Sequence, residues 1–124
     1  LFVAATDYIK AQQLRHSYTV ASRKLMDGLD ILAGPTMPMT AFSITMEEIE
    51  LSGKTLPVET AIPTYTRPFN HNGFPCVTVP CGFSSDGLPI GLQLAGKPYE
   101  DATVLRAAYA YEPSTEWHLR RPPV

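Results

Sequence analysis

One stretch constrains this chain more than any other, the run from Thr66 to Glu112. Cys76-Val77-Thr78-Val79 is a short strand rich in β-branched residues. Ser84-Ser85-Asp86-Gly87 follows as a turn, with Asp-Gly supplying the left-handed backbone that tight hairpins need. Ile90-Gly91-Leu92-Gln93-Leu94-Ala95 is the returning strand. Glu100 to Glu112 then reads as a helix, with Glu100 and Asp101 at the positive end of its macrodipole. Val104, Leu105, Ala108 and Tyr111 form its expected buried face, and Pro113 ends it. The prediction is a β-hairpin packed by a helix.

Upstream, Ala4 to Asp27 reads as a helix. Ala11, Leu14, Tyr18, Ala21 and Leu25 give it one apolar stripe, and Gly28 stops it. Asp30 to Pro35 reads as a short buried strand without polar alternation, as in a central parallel strand. Pro35 to Pro63 is irregular, a packed loop with adaptable Met37, Met39 and Met46 that is suited to covering a cleft. Within it, Met46 to Glu50 suggests a helical turn and Ser52-Gly53-Lys54 a reverse turn. Thr60 to Asn70 suggests one or two short helices broken by Pro63 and Pro68, and Trp117 to Val124 an extended tail. The expected fold class is α/β, a mixed β-sheet flanked by helices, with at least three strands and two good helices. That is too few strands for a complete doubly wound domain and suits the edge and flank of a larger sheet.

The bulk properties exclude several functions. A length of 124 residues allows one ordinary core, and a net charge of −2 leaves no basic footprint for nucleic acid. No apolar run approaches the roughly 20 residues of a membrane helix. The start, LFVAATDYIK, lacks the pattern of a signal peptide and opens inside what reads as a helix, so a segment of a longer protein is expected. The only cysteines, Cys76 and Cys81, should point to opposite faces of an extended strand, which disfavours a mutual disulfide and suits a reducing cytoplasm.

Few residues suggest chemistry of their own. His16, His71 and His118 form no HxxxH or HExxH pair, and no CxxC accompanies them, so no metal site is expected. Ser84 and Ser85 sit at a hairpin tip rather than in a GxSxG elbow, and the glycines form no phosphate cradle. Tyr65, Phe69, Phe74 and Phe83 cluster around the entry to the hairpin, either as packed core or as the wall of an apolar pocket. Asn70 is a turn residue or a polar group aimed into a cleft.

Read in order, the motifs resemble the C-terminal end of an amidase signature enzyme. Tyr8, Ala11, Gln12 and Arg15 match the family's Y-x-x-A-Q-x-x-R. Asp30, Pro35, Thr36, Pro38 and Ala41 match its D-x-L-x-x-P-T-x-P-x-x-A. Pro68, Asn70, Gly73, Pro75 and Val79 to Gly82 match its P-x-N-x-x-G-x-P-x-x-x-V-P-x-G. Gly87 to Gln93 matches the hairpin return, and Thr103 to Leu105, Ala108 and Glu112 the last helix. The resemblance implies hydrolysis of a carboxamide C–N bond by a serine nucleophile, a second serine on a cis peptide, and a lysine base. Backbone N–H groups would hold the oxyanion.

No such serine tract or lysine is matched within residues 1–124. The resemblance therefore implies a C-terminal segment that supplies scaffold and part of a substrate pocket, inactive alone and without cofactor or metal. Pro63, Tyr65, Thr66, Phe69 and Asn70 are the candidate substrate-binding residues. The expected partners are a small-molecule amide and the N-terminal part of the same enzyme, with a homodimer as a further candidate assembly. The A chain of a tRNA-dependent amidotransferase, which would bring nucleic acid, is the alternative, and a non-catalytic binding module is a second. In that amidotransferase subgroup, the residue five positions before the proline matching Pro68 is acidic and recognises glutamine's amino group. Here that position is Pro63, which favours a broader amidase with an uncharged, partly aromatic pocket.

Overall fold

The computed structural model describes residues 2–121. Helix α1 (Ala5–Leu25) closes through Met26, and Gly28 turns the chain away with φ 77°. Strand β1 (Leu32–Pro35) follows. A hairpin of β2 (Glu48–Leu51) and β3 (Lys54–Pro57) comes next, then helix α2 (Val58–Ala61) and a 3-10 turn over Ile62–Thr64. Helix α3 (Arg67–Asn72) leads into strands β4 (Cys76–Phe83) and β5 (Pro89–Ala95) and then helix α4 (Asp101–Tyr111).

The main sheet has the order β1-β5-β4, antiparallel throughout. Leu32 faces Ala95 across one side of β5, and Cys76 faces Ala95 across the other. The expected hairpin with its covering helix is present. A β-bulge between Pro80 and Gly82 shifts the register near its turn end. Its tip is a tight loop in which the Ser84 N–H donates to the Leu88 carbonyl at 2.8 Å, with Gly87 at φ 78°.

Side chains alternate across β5, so its two faces do different work. Leu94 packs with Val79 and Ala108 of α4, and Ile31, Val77, Leu92, Ala107 and Tyr111 extend this core. The opposite face carries Gly91 and Gln93, opposite Gly34 of β1 and Thr78 of β4.

Several expectations are corrected. Asp30 to Pro35 is not a buried parallel strand. Its strand is antiparallel, at the sheet's edge, and alternates between half-buried and exposed positions. Met46 to Glu50 is not a helical turn. Glu48-Ile49-Glu50-Leu51 alternates with period two, and Ser52 and Gly53, at φ 54° and 73°, form the two-residue left-handed turn that a hairpin favours. The long connection is thus partly regular.

Pro68 does not break a helix. It lies in the first turn of α3, where its missing N–H costs nothing. Asn70 is accordingly a helical residue rather than a turn residue, and Gly73, at φ 71°, ends α3. Leu105 is 61% exposed, because Val104 and Ala108 already point at the sheet and one residue further turns about 100° away.

The tail is not extended from Trp117. Trp117–Leu119 forms a 3-10 turn whose indole packs on Phe83, with ring centroids 6.1 Å apart. The last part of that expectation, residues 122–124, lies outside the described residues.

Helix α1 is tied to α3 rather than to the sheet. The Arg15 Nε donates to the His71 carbonyl at 2.7 Å. None of the residues of α1 is buried, so its apolar stripe stays open, with Leu14 and Leu25 64% and 65% exposed.

Candidate functional site

A cleft of about 340 Å³ opens over the small-residue face of the sheet. Its floor is β1 and Gln93, and one wall is the C-terminal end of α1 with Met26. The other wall is the segment from Thr64 to Phe74, including Tyr65, Pro68, Phe69 and Asn72. Among the described residues, no Asp, Glu, Lys, Arg or His side chain lines it. The polar groups facing it are therefore hydroxyls and amides, from Ser22, Thr64, Tyr18, Tyr65, Asn72 and Gln93. An apolar hollow with a few neutral hydrogen-bonding groups suits an uncharged organic ligand.

Local chemistry shapes the aromatic wall. The Thr64 hydroxyl donates to the Ala61 carbonyl at 2.6 Å, holding the 3-10 turn closed. The Arg67 guanidinium donates to the Thr60 carbonyl at 3.0 Å and spans that turn. Asn72 Oδ1 accepts the Phe74 N–H at 3.0 Å and fixes the exit from α3. The Gln93 Nε2 donates to the Tyr65 carbonyl at 3.2 Å, linking β5 to this wall.

Of the five candidate residues, Tyr65 and Phe69 line the cleft. Pro63 is half-buried inside the kinked 3-10 turn and is not part of the lining. Thr66 points its hydroxyl back at the Pro63 carbonyl, 3.5 Å away, and Asn70 is exposed on α3; neither lines the cleft. Phe74 joins Tyr65 and Phe69, but Phe83 lies apart, packed at a tilt of 57° against Trp117 and with the Arg120 guanidinium 4.7 Å from its ring centre. Asn72 and Gln93 also line the cleft, though neither is among the five candidates; Gln93 enters the motifs only as the last residue of the hairpin return. Gln93 does carry a signal, a lone amide between Leu92 and Leu94 in an otherwise apolar strand.

Other reactive groups lie outside the cleft. Cys76 and Cys81 are both free. Burial of the Cys76 sulfur pushes its thiol up to about 11, although the residue as a whole is exposed. Among the described residues no three His, Cys, Asp or Glu side chains group to hold a metal. Among the same residues no helix is long and apolar enough to cross a membrane.

Comparison with known proteins places the fold. The family model named Amidase matches residues 2–105. The chain belongs to the Amidase family. Similar relatives include the A-type chain of the glutamyl-tRNA(Gln) amidotransferase of Methanosarcina mazei, 46% identical over 121 residues, covering 94% of this chain and 23% of the relative. Its counterpart from a Synechococcus species is 43% identical over 117 residues, covering 94% and 22%.

Among solved structures, a crystal structure of an amidase superposes with a TM-score of 0.85 at 30% identity, covering 90% of this chain and 26% of that one. The corresponding amidotransferase chain of Thermotoga maritima superposes with a TM-score of 0.70 at 31% identity, covering 87% and 22%. The α/β arrangement is thus that of the amidase signature fold. The chain spans less than a quarter of the length of these Amidase relatives.

Proposed function

We propose that residues 1–124 serve as the C-terminal part of an amidase that hydrolyses a carboxamide C–N bond. Water is consumed, and a carboxylate and ammonia or an amine are released. Family membership supports the reaction class. The serine, cis-serine and lysine of the family's mechanism have no match in this chain and would come from the rest of the enzyme. This part contributes the sheet, its flanking helix and one side of the substrate pocket. Tyr65 and Phe69 contact the substrate, with Pro63, Thr66 and Asn70 shaping the same segment from behind.

The observation that carries the substrate class is the uncharged, aromatic-walled cleft. A free amino acid such as glutamine brings an ammonium and a carboxylate, and burying either without a partner is costly. A neutral aryl or alkyl amide carries no such penalty. The test is hydrolysis by the intact protein, comparing a neutral aryl amide with glutamine at equal concentration. We expect ammonia or amine release from the aryl amide to dominate. Glutamine turned over at least as well overturns the substrate class.

A second reading has its own support. The relatives at 43% and 46% identity are glutamyl-tRNA(Gln) amidotransferase chains, which favours this chain being part of such an amidotransferase. It predicts glutaminase activity and co-purification with partner subunits. Pro63, standing where that subgroup has its acidic residue, argues for the first reading. The intact mass of the native protein would separate both from a stand-alone binding module.

A further inference from the structure

We propose that Gln93 is a positioning residue for this pocket. By holding the Tyr65 carbonyl it sets where the aromatic wall stands, and so which amides fit. The inference rests on the amidase reading above for its consequence, but its geometry stands alone.

Gln93 is 7% exposed on the central strand of the sheet, where a buried primary amide is retained only if it is hydrogen-bonded. It does not fill the core, since it lies on the face opposite Leu92 and Leu94. Its Nε2 reaches a carbonyl 28 residues away in sequence, at 3.2 Å. That carbonyl lies where the 3-10 turn passes into α3, between two short helical pieces. Such short pieces have little rigidity of their own. The strand is held on both sides by β1 and β4, so it is the rigid partner and the wall is the part being placed. Tyr65 itself is the first aromatic of that wall, and Phe69 follows one helical turn later.

The variants Gln93→Glu and Gln93→Leu in the intact protein test this. The Thr66 amide belongs to the peptide group whose carbonyl accepts the bond, so its 15N and 1H shifts report the bond directly. We expect both variants to move that signal. We also expect KM for a neutral aryl amide to rise about 5- to 10-fold at neutral pH, the effect of losing one buried hydrogen bond. Expected kcat stays near the parent value, and a short aliphatic amide that does not reach the wall is little affected. Lowering the pH protonates the introduced carboxyl of Gln93→Glu and restores a donor, so its KM should return toward the parent. Gln93→Leu offers no such donor and should not recover.

A Thr66 signal that stays in place in both variants overturns the proposal. So does an equal loss with every amide, carried in kcat. Should Gln93→Leu fail to fold, Gln93→Glu alone decides, through its pH recovery. A parent protein that hydrolyses no amide sinks the amidase reading instead. The Thr66 signal then still upholds or overturns the placement of the wall.

Discussion

A methyl group on Gly91 would stand 2.9 Å from both Thr36 Oγ1 and Thr78 Cγ2. Those threonines bridge across the strand, hydroxyl to hydroxyl, at 3.2 Å. The position is closed by packing, not by backbone conformation. Gly91→Ala should therefore destabilise by about 1–3 kcal/mol, the usual cost of overpacking, read from the urea midpoint. Cys76 makes a second case. A thiol pushed up to about 11 by burial stays protonated at neutral pH, and only the thiolate is nucleophilic. Its alkylation by iodoacetamide should be slower than that of an unfolded cysteine at pH 8 and should accelerate only as the pH climbs toward that value. Fast labelling of Cys76 at pH 8 would contradict this. At this scale the sequence is readable where one residue type has one use, as at Gly28 and Gly87. It is not readable at Gln93, because nothing local announces a hydrogen bond to Tyr65.

The β2–β3 hairpin shows what turn chemistry does for an element. Its two central residues are both left-handed, and Gly53 tolerates this while a β-branched side chain does not. Gly53→Val should cost about 1–2 kcal/mol and raise amide exchange at Glu48–Leu51, with the main sheet unaffected. Loss of protection throughout the chain would mean that the hairpin is not a separate unit. The tail is an element held through aromatic contacts. Arg120 lies over Phe83 and, at 5.9 Å, over Trp117. A double-mutant cycle between Phe83→Leu and Arg120→Gln should give a coupling of about 0.5–1 kcal/mol, typical of an exposed cation–π pair. The hairpin's alternation is present in the sequence at Glu48 to Leu51, but the paired acids suggest a helical turn. The tail's return onto β4 depends on distant aromatics, which local propensity does not register.

At the scale of the molecule, the order of helix, strand, hairpin and helix is legible from apolar period and turn residues. The direction of β1 is not, since a short apolar run looks alike in either sense. The cleft is half legible, because its aromatic wall is contiguous in sequence and its floor is not. The open stripe on α1 has a measurable consequence. Chain 1–124 by itself should bind a hydrophobic dye in its folded state, and the signal should fall with Leu14→Gln and Leu25→Gln while cooperative unfolding is kept. No dye binding would mean that the stripe is covered by self-association. The strand order has a consequence in time. β4 and β5 are neighbours along the chain and can close early, whereas β1 must find β5 across everything between Leu32 and Ala95. Closing so long a loop costs entropy before any contact repays it. In a refolding experiment, amides at the β4–β5 seam should gain protection first and those of β1 last. The floor of the cleft would then be laid only when folding is nearly complete.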